Sequence, residues 1–219
     1  HRDLHSFPTR RSSDLKLHGY AIDKGQRIWE AEGLDPPSQC VRSHVPGRRD
    51  ERLIRCLLED RARRLSNRQA LVLFTDGEAS YESLCPAIFG VPYRLSRKGN
   101  WGRFPDLRDR IPRSLAHVQI IKKREGSRVV QLDIRYAHGS RRCAHQALER
   151  LAYPKPNTAA LERRNATARR MSVHPVRRAL AFARRRETKL ALGGWGVTVL
   201  NGCRPNRSLR LALSEPHPK

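Results

Sequence analysis

Four consecutive apolar residues, Leu71, Val72, Leu73 and Phe74, run straight into Thr75, Asp76 and Gly77. A run that short, bounded by turn chemistry, predicts a strand buried on both faces. Tyr81, Leu84 and Cys85 follow at helical spacing, so the segment reads as strand, tight turn, helix. Asp76 then stands at the carboxyl end of a strand, where open α/β sheets gather their ligand-binding groups. The same spacing also lets Asp76 do no more than cap the following helix.

The 219 residues carry 45 Lys plus Arg against 21 Asp plus Glu, a formal net charge of +24. That length fits one domain with at most an appendage. The charge calls for a polyanionic partner, and nucleic acid is the first candidate. A membrane partner is not expected, because the chain offers no long apolar run and no basic amphipathic anchor. Cys40, Cys56, Cys85, Cys143 and Cys203 form no Cys-x-x-Cys pair. Their odd number, without a secretory signal, reads as reduced thiols in a cytoplasm. Their spacing does not suit a structural zinc.

Residues 1–15, His1 to Leu15, show scattered charge, a lone Pro8 and no periodicity. Over all fifteen positions the segment resembles the in-frame translation of a sequencing adapter. It is therefore set aside from the fold, with native sequence expected from near Lys16 and no packing role expected before it. His1, Arg2 and Asp3 imitate a kinase catalytic loop, but no glycine-rich loop or Asp-Phe-Gly accompanies them.

Three short strands are expected next. The first spans Leu17 to Ile22, the second Gln26 to Gly33 and the third Gln39 to Val45, with turns at Asp23-Lys24-Gly25 and Asp35-Pro36-Pro37. Arg49, Asp50 and Glu51 then mark a helix start. Leu53, Ile54, Leu57, Leu58 and Leu65 give that helix an apolar face, and Arg52, Arg55, Arg61, Arg63 and Arg64 read mainly as its solvated side. Three strands, a helix and the 71–74 strand are the order of a ribonuclease-H-like core, an antiparallel meander extended by parallel strands. From Pro86 to Pro112 the chain reads as a long connection. Val118 to Lys123 and Arg128 to Tyr136 form a hairpin, followed by a helix from Arg141 to Leu151. Because it separates the two candidate acidic segments, residues 114–151 read as an insertion into the core, whose first part is 16–113.

Residues 152–190 are expected to form arginine-rich helices. Arg163, Arg170, Arg177 and Arg184 recur every seven residues, with Arg164, Arg178 and Arg185 beside three of them. A seven-residue period keeps a stripe on one helical face, although Pro175 must split it in two. Stacked like charges gain nothing without a counter-charge, so the stripe points to phosphate-backbone contact; its plain alternative is a solvated basic face. The tail, 191–219, offers no clear element.

Two motifs then converge. Leu73 through Ser83, with Asp76 and Tyr81, followed by Leu161, Glu162, Arg163, Arg164 and Asn165, resembles the second and third acidic motifs of bacterial insertion-sequence transposases of the DDE type. The segments around Trp29, Arg48 to Glu51 and Arg177 to Arg185 are similar to the same family, and the resemblance spans about Leu17 to Leu200. It implies an α/β, ribonuclease-H-like mixed sheet with flanking helices. It also implies metal-dependent DNA strand cleavage and transfer, with carboxylates holding Mg²⁺ or Mn²⁺. Asp76 and Glu162 would be the catalytic and metal-binding acids. Arg163, Arg164, Arg170, Arg177, Arg178, Arg184 and Arg185 would contact DNA, and two copies would pair in the intact protein. The first acid of the pattern would fall just before Lys16, in the adapter-like segment; Asp14 and Asp23 are poorly placed to replace it. The chain as written is thus expected to be inactive. The residues alone also fit a non-catalytic basic nucleic-acid binder, or the reading frame of a decayed mobile element.

Overall fold

The computed structural model describes residues 6–8, 18–21, 23–65, 71–96, 99, 103–104, 106–112, 115–125, 128–150, 154–172 and 183–204. Along the chain come β1 (Ser6–Pro8), β2 (His18–Ala21), β3 (Asp23–Asp35), β4 (Cys40–Gly47) and α1 (Glu51–Arg64). Next are β5 (Val72–Asp76), α2 (Ser80–Phe89), β6 (Val91–Tyr93), β7 (Arg108–Arg110), β8 (Ala116–Glu125) and β9 (Arg128–Gly139). The described part closes with α3 (Arg141–Arg150), α4 (Ala159–Met171), α5 (Arg186–Thr198) and a π-helical turn, Val199–Cys203. The class is mixed α/β. No described helix is long and apolar enough to cross a membrane.

β5 is buried at every position. Alternation sends Leu71 and Leu73 to one face, where they meet Ile54, Leu58 and Ala62 of α1 and Tyr81, Leu84 and Phe89 of α2. Val72 and Phe74 go to the other face, against Val118 and Ile120 of β8 and Ala144, Ala147 and Leu148 of α3. A strand covered on both sides needs apolar residues at every step, and this is why the run does not alternate with polar ones.

β2, β3 and β4 form the expected antiparallel meander in that order, but as a sheet of its own: β5 and β8 pair in a separate sheet and do not extend it. β3 begins at Asp23, paired with Ala21, so the residues expected to form the first turn instead open the strand. Trp29 and Ala31 pack on Leu53 and Leu57 of α1, while Leu34 and Val41 pack on Ala160 and Leu161 of α4. α1 thus lies between the meander and the main sheet. Asp50 caps α1, its Oδ1 accepting the Leu53 N–H at 3.0 Å. Arg61, expected on the solvated side, is buried instead; burial pulls its guanidinium down to about 10, against the opposing effect of Asp35.

Three further expectations change. First, the β8–β9 hairpin is not an insertion projecting from the core. β8 pairs in parallel with β5, Val72 opposite Ala116 and Asp76 opposite Ile120, in a four-stranded sheet of order β1-β5-β8-β9. Its alternating apolar residues needed a partner, and the open side of β5 supplies it. Second, Ser6–Pro8 of the adapter-like segment pairs in parallel with Val72, Leu73 and Phe74. An open strand edge offers backbone groups that any extended segment can satisfy, whatever its side chains. Third, the region after Gly193 is helical through Cys203. Residues 205–219 lie outside the described residues.

Pro86 sits inside α2 and has no N–H to give to the carbonyl of Glu82, four residues earlier. His138 of β9 fills that gap: its Nε2 donates to Glu82 O at 2.8 Å. His117 of β8 stacks on His138, ring centroids 5.7 Å apart, and its Nε2 lies 2.7 Å from Thr75 Oγ1. Because the Thr75 hydroxyl donates to Asp76 O, the His117 Nε2 carries the proton and Nδ1 is bare. Burial, with His138 and Arg135 adding to it, lowers His117 to about 3.

An unfolded histidine titrates near 6.5, so between pH 6.5 and 3 the unfolded chain binds the extra proton and stability falls as pH falls. At neutral pH the imidazole is uncharged in both states; the loss accumulates on acidification and is on the order of several kcal/mol once the pH falls below the folded value. Urea unfolding of the wild-type chain and H117N should therefore show a stability difference that shrinks on acidification through this window. Parallel curves would contradict the assignment.

Candidate functional site

Asp76 ends β5 with 2 % of its surface exposed. Its Oδ1 accepts the N–H of Glu78 at 3.1 Å, closing a turn across Gly77. It does not cap α2: the N-cap position is Ala79, which makes no side-chain capping bond. Opposite Asp76 in the sheet is Ile120, and Lys122 lies two residues farther along β8 on the same face, about 7 Å on.

Lys122 Nζ donates to Glu162 Oε1 and to Thr158 Oγ1, the latter at 2.6 Å. The Thr158 hydroxyl also donates to Glu162 Oε1 at 3.0 Å. Glu162 occupies the first turn of α4, where the helix dipole favours a carboxylate. Lys122 thus ties Glu162 of α4 to β8, two residues beyond the partner of Asp76. The side chain of Glu162 is about half exposed and that of Lys122 largely buried. The ammonium therefore marks a place at this edge where positive charge is accommodated between an acid and a hydroxyl. Sequence reasoning did not single out Lys122 or Thr158. A lysine on the apolar face of a strand, after Val118 and Ile120, was the available signal.

The arginines divide. Arg163 and Arg170 are exposed on α4, and Arg184 and Arg185 are exposed just before α5. Arg177 and Arg178 lie outside the described residues. Arg164, expected to contact DNA, is buried, and its Nη2 donates to Glu32 Oε1 of β3 at 2.9 Å. The reason is helical spacing: Leu161 is buried against the meander, and a residue three positions on shares its face. The stripe is not one helix either, since α4 ends at Met171.

Arg164 belongs to a second polar cluster. Glu30 and Glu32 alternate on β3, facing away from Trp29 and Ala31. Lys189 of α5, 2 % exposed, pairs with Glu30, and His44, opposite Glu32 on β4, brings Nδ1 within 3.5 Å of Glu32 Oε1. Gly193 closes over them; a Cβ there would stand 3.1 Å from His44 Nε2 and 3.2 Å from the Glu30 carboxyl carbon. The ligand atoms of Glu30, Glu32 and His44 all lie within 4.8 Å of one another, so this buried group could hold a metal ion. Two acids facing two permanent cations already balance in charge. The arrangement as it stands ties α4 and α5 to the meander. The alternation of Glu30 and Glu32 in sequence looks like a wet strand face, which is why the cluster was missed.

Compared with known proteins, the chain matches no family model, no curated protein and no solved structure.

Removing one partner of a buried ion pair strands the other charge. R164M should therefore cost about 3–5 kcal/mol. Adding E32L to R164M should recover much of that loss. Denaturant titration of the single and double variants checks both; a double variant no better than R164M would contradict the pairing.

Proposed function

We propose that this chain is part of a DNA-processing domain of the ribonuclease-H-like, DDE transposase type, acting on phosphodiesters at the edge that carries Asp76 and Glu162. The observation that carries the reading is that Glu162, 86 positions from Asp76 in sequence, bonds Lys122, which lies two residues along β8 from the partner of Asp76. Further support comes from the order of elements along the chain, an antiparallel meander, α1, and the parallel pair β5 and β8, although the meander and the parallel pair lie in separate sheets. The hard oxygen donors of Asp76 and Glu162 suit Mg²⁺ or Mn²⁺, and the ammonium of Lys122 already occupies the cation position beside Glu162. A magnesium ion there would supply electrostatic stabilisation to the phosphodiester under attack.

In this reading Asp76, fixed by the Glu78 N–H, and Glu162, fixed by Thr158, supply preoriented negative charge. Lys122 keeps the charge of Glu162 compensated until the site is filled. Exposed Arg163 and Arg170, on the helix that bears Glu162, draw the phosphate backbone toward it. The chain's net charge of +24 serves the same purpose at longer range.

Manganese binding followed by electron paramagnetic resonance tests the acid pair directly. D76N and E162Q should each weaken binding at least tenfold, and K122M should strengthen it because the competing cation is gone. Unchanged binding in both acid variants would sink the metal assignment.

The Lys122–Glu162 pair also favours a second reading, a basic DNA binder in which Glu162 is permanently neutralised. Both readings expect salt-sensitive, sequence-tolerant DNA binding. Each arginine–phosphate contact contributes about 0.9 to the slope of log affinity against log salt. Replacing Arg163, Arg170, Arg184 and Arg185 by alanine should flatten the slope by up to about 3.6. A folded variant with an unchanged slope would leave these arginines as a solvated face.

A further inference from the structure

Arg48, Arg52 and Arg186 line one cavity of about 600 Å³. Arg48 follows β4, Arg52 lies on the first turn of α1, and Arg186 opens α5. Leu53 and Cys56 of α1 line the same cavity, as does Asp50. Neighbouring arginines are neutralised: Arg55 pairs with Glu51 at 3.1 Å and Arg64 with Asp60 at 2.9 Å. Even Arg49 has company, 4.0 Å from Glu78 and with its guanidinium 5.4 Å from the Trp29 ring centroid. Arg48, Arg52 and Arg186 have no ion pair among the described residues. The one acid in the lining, Asp50, accepts the Leu53 N–H as the cap of α1.

Three exposed guanidinium-bearing residues therefore line one cavity without a counter-charge of their own. Arg48 and Arg52 flank the start of α1, and Arg186 joins them from a segment more than 130 residues away, so local periodicity does not explain its meeting them. Planar forks with several N–H donors match phosphate oxygens in charge and geometry. We propose that this cavity is a phosphate-binding site, separate from the Asp76–Glu162 edge, which takes a multiply charged phosphate group through Arg48, Arg52 and Arg186. The group can belong to a nucleic-acid backbone or to a free polyphosphate; the chemistry recognised is the same. The site does not depend on whether Asp76 and Glu162 hold metal.

Cys56 on the cavity wall provides the readout. The full chain is treated with N-ethylmaleimide, and modification at each cysteine is followed by mass spectrometry, with and without inorganic tripolyphosphate or a short DNA duplex. Tripolyphosphate should slow modification of Cys56 severalfold and leave exposed Cys203 unaffected. R52Q/R186Q should lose that protection, whereas R55Q, which alters a neutralised arginine of the same helix, should keep it. Protection by duplex as well as tripolyphosphate assigns the site to nucleic acid; protection by tripolyphosphate alone assigns it to a free polyphosphate. No protection by either, or equal protection in R52Q/R186Q, overturns the site. Manganese binding by the acid pair is read separately, so failure here leaves that reading intact and the reverse also holds.

Discussion

Burial of Val72–Asp76 on both faces is the constraint from which the rest of the structure follows. One face of the strand needs α1 and α2, the other needs α3, and the backbone needs parallel neighbours. Parallel pairing requires a long crossover, which here contains α2 and the β6–β7 ribbon. Once β8 lies beside β5, the register sets Asp76 opposite Ile120 and places Lys122 just beyond the end of β5. The side chains gathered at this edge are thus placed by strand register, and strand register is enforced by which side chains must be kept from water.

α4 links the two halves of the molecule through opposite charges. Its first turn turns an acid, Glu162, toward Lys122 of the main sheet, and Arg164 reaches an acid, Glu32, of the meander. Leu161 beside them supplies the apolar contact with Leu34 and Val41. Buried ion pairs add little net stability over apolar packing, but they discriminate sharply against wrong pairings. With Lys189 and Glu30 as a second pair, the meander accepts α4 and α5 in one arrangement, and Gly193 permits the close approach that this needs. The same close approach and charge balance keep Glu30 and Glu32 engaged with the protein's own cations.

Polar groups inside the main sheet are matched in a similar way. Pro86 costs α2 one backbone hydrogen bond, and His138 restores it from the neighbouring sheet. The price is a stacked histidine pair beneath the strand that carries Asp76, and it requires His117 to stay neutral. Cys85 on α2 is enclosed by the same core, and burial pushes its thiol up to about 12, so it stays protonated and inert.

Local patterns in the sequence determined much of this. The 71–74 run, the Asp50 cap, the helical face of Leu53 to Leu58 and the alternation of Val130 to Tyr136 each specify an element, because periodicity reports which face must be buried. The order of three strands, a helix and a buried strand was equally legible. Partners were not. That β8 completes the core sheet, that Ser6–Pro8 fills its edge, and that Arg164 turns inward while Arg163 and Arg170 stay outside depended on which surfaces met. The charges show this most clearly: Glu30, Glu32, Lys122, Arg164 and Lys189 look like solvated residues one by one. They become buried or paired only because α4 and α5 close over β3 and reach the end of β8. A pattern of side chains fixes the face of an element; the energy of bringing two faces together, with their charges matched, is decided only in three dimensions.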